Sequence, residues 1–217
     1  TLDQVETLFH EYGHALHGLL TQCTYKSVSG TSVARDFVEL PSQIMENWAF
    51  QPEVLATYAR HYETGEVIPE ELVAKIAAAE NFNQGFMTTE LAAAAILDLK
   101  WHMLPSVEGI DPIVFEAEAC KAMGLIDEII PRYRTTYFNH IFNSGYSAGY
   151  YSYLWAEVLD KDAFELFMQK GIFDPETAMS FRHNILEKGG SDEPMDLYRT
   201  FRGADPDTGA LLRGRGL

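Results

Sequence analysis

The residues His10-Glu11-Tyr12-Gly13-His14 sit inside a run whose apolar positions, Val5, Leu8, Phe9, Tyr12, Ala15, Leu16, Leu19 and Leu20, recur at steps of three and four. That spacing predicts one helix over Leu2–Leu20, with Gly13 its only weak helix former. Residues four apart on a helix share a face at a separation of roughly 6 Å. His10 and His14 can therefore converge on one metal ion while Glu11 stands beside it, which is the context an HExxH motif requires. Glu11 is then placed to take a proton from a water that the ion acidifies and to return it to a leaving amine. Chance alone yields an HExxH in a chain of this composition with odds of roughly one or two in a hundred.

A catalytic metal of this kind takes three protein ligands and leaves a position for water, so the motif calls for one more. His17 shares the face but lies about 10 Å along the axis from His10. It reads as a packing residue, or as one that orients a ligand, rather than as the ligand itself. A histidine beyond a following Gly turn, in the spacing HxxGxxH, is absent. Glu39, in DFVELPSQIMENW, is the better candidate, because it stands in an apolar helical stretch where a lone carboxylate is costly to bury. Metal coordination would remove that cost. Glu46 falls on the same face two turns on and could orient a ligand imidazole; a partly exposed helical carboxylate is its plainer reading.

The remaining chain reads as helices joined by short loops. Residues 21–35 are rich in Ser, Thr and Gly and predict a loop. A second helix follows from Asp36, starting or bending at Pro41. Residues 69–104 predict two packed helices broken near Gly85, and further helices are expected at Pro112–Met123, Ala148–Lys170, Pro175–Lys188 and Pro194–Phe201, then a short helix and a tail. The expected fold is all-α, with little or no sheet. At 217 residues and 47% hydrophobic, one domain is the default.

Acidic residues outnumber basic ones 32 to 16, which disfavours nucleic acid or an anionic membrane as the main partner. No apolar run approaches the length of a membrane span. Cys23 and Cys120 are too few and too far apart to form a disulfide framework, and read as reduced thiols. The opening TLDQVETLFHEYGH has no initiator Met and enters the motif helix at once, so the chain reads as a fragment.

FHEYGHALH and SGTSVARDFVELPSQIMENW together resemble the metal helix and the following segment of the thimet oligopeptidase and peptidyl-dipeptidase family of zinc peptidases. HIFNSGYSAGYYSYLWAEVLDKDAF is similar to that family's Gly-containing loop and Tyr-rich helix, and the resemblance runs the whole length of the chain. It implies one zinc per chain on His10, His14 and Glu39. It also implies that His140 and Tyr146 hydrogen-bond the substrate, that Tyr153 donates to the oxyanion, and that Tyr150 and Gly145 contribute to substrate positioning. Without the resemblance, Tyr146, Tyr150, Tyr151 and Tyr153 read as an aromatic stripe, more often core than catalytic. Gly145 and Gly149 permit close backbone approach, whether of a peptide or of a neighbouring helix.

Within the family the wording is most similar to the bacterial peptidyl-dipeptidases, which implies release of C-terminal dipeptides from short peptides. Family members are much longer, so residues 1–217 are expected to be a C-terminal catalytic region whose N-terminal lobe, the other wall of the substrate channel, is missing. Alone it is expected to be weakly active or inactive, and to belong in the cytoplasm, with the periplasm open because a leader would be lost with the N-terminus. The alternatives are an oligo-endopeptidase of the same family, a non-catalytic peptide-binding module, and a structural helical domain with an incidental HExxH.

Overall fold

The computed structural model describes residues 1–217 and contains eleven α-helices and no β-strand; Arg60 and Val67 form an isolated antiparallel bridge. The helices are α1 (Leu2–Leu19), α2 (Leu40–Ala49), α3 (Pro52–Tyr58), α4 (Glu70–Ala79), α5 (Gln84–His102), α6 (Pro112–Ala122), α7 (Asn139–Asn143), α8 (Ser152–Lys170), α9 (Pro175–Phe181), α10 (Pro194–Arg202) and α11 (Thr208–Gly214). The all-α expectation holds. Proline occupies the first turn of α2, α3, α6, α9 and α10, where its missing N–H has no partner to lose and its fixed φ suits the helix. Pro41 thus starts α2 rather than bending it. Asp36 to Glu39 form a turn, not the helical stretch the pattern suggested.

Two other boundaries moved for physical reasons. α8 begins at Ser152 rather than near Ala148, because Ala148 adopts φ 53°, a left-handed conformation that no α-helix accommodates. α9 runs on into a π-helical turn over Arg182–Leu186, so the predicted helix there is one passage with a widened last turn. Over 69–104 two helices form as expected, but α4 buries none of its residues, which corrects the expectation of a packed pair. No helix is long and apolar enough to cross a membrane.

Packing divides the chain into two compact units, residues 1–82 with 156–217, and residues 83–155. In the first unit α1 packs on α2, and Trp48 of α2 stands edge-on to Phe164 and Phe167 of α8 at 4.7 and 4.8 Å between ring centres. Phe181 and Phe201 extend that aromatic core. The second unit closes around Ala94, Leu97, Trp101, Phe138, Ile141 and Tyr150. There the buried Glu116 accepts from Arg134 Nε and from the Thr135 N–H, and Trp101 Nε1 donates to the Thr135 hydroxyl, so the segment leading to α7 is tied down.

Asp160 of α8 is buried in the first unit with one oxygen 2.9 Å from Asn47 Nδ2. Burial pushes its pKa up to about 7, although Lys161 and the Asn47 bond pull the other way. The folded chain therefore keeps a proton that the unfolded chain loses near pH 4, and the stability that proton confers fades as pH rises from about 4 to about 7. Unfolding free energies of the wild type and Asp160→Asn, from denaturant titrations between pH 5 and 8, should show a steeper decline in the wild type, on the order of a few kcal/mol in all. Equal slopes would place the ionised carboxylate in a better-solvated setting than its burial indicates.

Candidate metal centre and aromatic loop

The first unit assembles its site where α1 and α2 cross. A Cβ added to Gly13 would lie 2.1 Å from the Pro41 carbonyl oxygen and 2.5 Å from Ser42 Cα, so the backbones approach as only glycine permits. The face of α1 that packs is accordingly the motif face: Gly13 and His17 are its buried residues, while Leu8, Tyr12 and Leu19 of the apolar stripe are exposed. The sequence pattern marked the helix correctly but not the face that α2 covers.

At this crossing Glu39, 2% exposed, directs Oε2 to 3.4 Å from His10 Nε2 and 3.2 Å from His14 Nε2. The two imidazoles stand nearly perpendicular, with centres 5.0 Å apart. Three ligand atoms from His10, His14 and Glu39 thus share one small volume and could hold a metal ion. Ser42 Oγ lies 2.9 Å from the same Glu39 oxygen and donates to it. His10 Nδ1 is 2.6 Å from Glu46 Oε1, the placement expected of a residue that orients a ligand ring. Burial works against the His10 imidazolium, but the Glu46 bond and the charges of Glu46, Glu39 and Glu11 outweigh it and raise its pKa above the ordinary value. Glu11 is exposed on the flank of the helix.

His17 is fully buried, and neither ring nitrogen has a hydrogen-bond partner. Burial, reinforced by the nearby His14, lowers its pKa to about 4, so it packs as a neutral ring. The packing reading of His17 stands, while a hydrogen bond from it to a ligand is not formed.

The second unit gathers the other candidates around α7 and the start of α8. The His140 ring lies 4.9 Å from that of Tyr133, 5.6 Å from Tyr150, 6.0 Å from Tyr146 and 6.3 Å from Tyr153. Tyr146 and Tyr153 are half-buried and stack at 5.3 Å with planes 10° apart, so both phenols sit at the edge of the cluster. Tyr150 is different: at 2% exposure it belongs to the core, wedged against Phe138. Burial raises its pKa well above the ordinary phenol value. It packs against His140 and Tyr153 from within the core, so the surface of the cluster is made by the other two tyrosines. Gly145 is exposed at φ 83°, a left-handed turn position.

Sequence reasoning missed Ser42, the reason for Gly13, and Asp98. Asp98 of α5 is fully buried, and its two oxygens accept the N–H groups of Ala148 and Tyr150 at 2.9 and 2.8 Å. Its signal was present: a carboxylate in LAAAAILDLKW is as conspicuous as Glu39 in its own apolar segment.

Residues 1–217 match peptidase family M3, and the chain belongs to that family. It is 46% identical over 217 residues to dipeptidyl carboxypeptidase of Escherichia coli, covering 99% of this chain and 32% of that protein. Identity to oligopeptidase A of the same organism is 45% over 219 residues, covering 100% of this chain and 32% of the relative. The thimet-like oligopeptidase of Dictyostelium discoideum is 32% identical over 225 residues. The chain therefore spans about a third of the length of these relatives, each matched over 32% of its sequence.

Gly13→Ala tests the crossing. Alanine is the better helix former by about 1 kcal/mol, yet here it forces α1 and α2 apart at an overpacking cost of ~1–3 kcal/mol. Thermal melting and metal titration of the purified variant should show a lower melting temperature together with weaker metal binding. A variant that melted higher and bound metal normally would show that Gly13 does not set the distance between the ligands.

Proposed function

We propose that this chain carries the reaction centre of a zinc-dependent peptidase acting on short peptides and releasing C-terminal dipeptides, with His10, His14 and Glu39 as ligands. The observation that carries the reading is the convergence of two imidazole Nε2 atoms on a buried carboxylate oxygen at 3.2 and 3.4 Å. Zinc bonds of 2.0–2.2 Å in tetrahedral array separate neighbouring ligand atoms by about 3.3–3.5 Å, so the donor set suits that ion without large movement. When bound, zinc supplies Lewis acidity and brings the pKa of a water toward about 7.

The chain's own groups do the rest. Glu46 accepts the Nδ1 proton of His10 and so keeps the Nε2 lone pair directed inward. Ser42 steadies Glu39 through the shared oxygen. Glu11 takes the proton of the attacking water and passes it to the departing amine. The resemblance to the family supports Tyr153 as a hydrogen-bond donor to the oxyanion, a neutral donor whose value lies in charge that develops only in the transition state. The same resemblance supports Tyr146 and His140 as hydrogen-bonding the peptide around the scissile bond. The name of the 46% identical E. coli relative supports the dipeptide product.

Elemental analysis after exhaustive dialysis should find about one zinc per chain in the parent and little in Glu39→Ala. A parent that held no metal, even after zinc was added back, would remove the assignment. In the full-length protein, Glu11→Gln should keep zinc and lower kcat by a factor of roughly 100 or more. Unchanged peptide-dependent function in that variant would favour a non-catalytic peptide-binding module. The second reading is an oligo-endopeptidase of the same family; the name of the 45% identical oligopeptidase A supports oligopeptides as its substrates. Amidating the substrate's C-terminus should abolish dipeptide release, whereas an endopeptidase would still cut.

A further inference from the structure

Asp98 is placed to do more than fill the core. It is fully buried on α5, yet each carboxylate oxygen is aimed at the backbone of one short turn, Oδ1 at the Ala148 N–H (2.9 Å) and Oδ2 at the Tyr150 N–H (2.8 Å). His102, one helical turn on, sets Nδ1 2.7 Å from Oδ1 and 2.9 Å from the Asp98 carbonyl, bracing the carboxylate from its own helix. The turn between those two amides is costly in itself. Ala148 holds φ 53°, which disfavours a residue with a Cβ and is seldom held without an external tie. A carboxylate that accepts two N–H groups two residues apart, on either side of Gly149, is such a tie, because leaving the left-handed turn at Ala148 would turn at least one of those amides away from it.

What the turn carries gives the tie a purpose. Tyr146 lies two residues before Ala148, and Tyr153 stands in the first turn of α8 three residues after Tyr150. Gly149 N bonds the Tyr146 carbonyl at 2.8 Å and Ser152 N bonds the Gly149 carbonyl at 3.1 Å, so a shift at Ala148 passes directly to both tyrosines. Their parallel stacking at 5.3 Å needs the chain to reverse as it does between them.

We propose that Asp98 is a positioning residue for peptide hydrolysis: by clamping Ala148 and Tyr150 it holds the left-handed turn that places the phenols of Tyr153 and Tyr146. The inference rests on the proposed role of Tyr153 as oxyanion donor. Asp98 itself, being fully buried, touches no substrate.

The test is a double-mutant cycle in the full-length enzyme, because coupled residues give non-additive losses. Asp98→Asn replaces one accepting oxygen with an NH2 group, so one of the two amides faces a donor whichever way the side chain flips. It should lower kcat roughly tenfold, the weight of ~1.4 kcal/mol, with KM within about twofold of normal. Tyr153→Phe alone should lower kcat roughly a hundredfold. In the Tyr153→Phe background, Asp98→Asn should then cost less than about threefold. A full tenfold loss in both backgrounds would reduce Asp98 to a structural tie and overturn the inference. Near-normal kcat in Tyr153→Phe would overturn the reading of Tyr153, and this inference with it. If Asp98→Asn does not fold, Ala148→Val strains the same turn at an exposed position without touching the core. It should follow the same cycle, and wild-type kcat in Ala148→Val would also overturn the inference.

Discussion

Everything in the first unit depends on how closely two helical backbones can pass. α1 and α2 meet at Gly13, and the approach is too tight for any side chain at that position. The closeness brings the turn before α2 within reach of the imidazoles on α1, so that a carboxylate with almost no exposure faces two ring nitrogens. A buried carboxylate is unfavourable by itself. Here its surroundings compensate it, through the Ser42 hydroxyl and two His rings, one of which, His10, is oriented through its other nitrogen by Glu46.

The second unit solves a related problem with the same kind of group. A single buried carboxylate on a long helix, Asp98, accepts two backbone amides and so imposes a turn that the chain would not choose. Glu116 does likewise for the approach to α7, through Arg134 and the Thr135 amide. In both units, then, acidic side chains inside the protein shape the backbone around the candidate residues, while most of the net charge of −16 lies on the surface.

Much of this was legible in the sequence, and what was hidden had identifiable causes. The HExxH spacing and its apolar periodicity read directly as a helix with two converging rings, the cost of burying a charge singled out Glu39, and the helical repeat pointed from Glu39 to Glu46. The same argument applied to Asp98, but its partners are backbone amides about fifty residues away, and a sequence does not display an amide's orientation. Periodicity could not tell Tyr150, a core aromatic, from Tyr146 and Tyr153, because all three lie in one loop and helix start where spacing carries no facial information. The two-unit division was hidden for a further reason: residues 1–82 pack with 156–217, a long-range pairing that leaves no local trace.

That pairing bears on the order in which the chain can acquire its structure during synthesis. The clustered residues from His10 to Glu46 emerge together, and their loop is short enough to close at little entropic cost. The aromatic wall behind them, where Trp48 meets Phe164 and Phe167, is made more than a hundred residues later. A nascent chain thus holds the His10, His14 and Glu39 cluster long before it can hold it still, and a rigid crossing has to wait for α8 to be made.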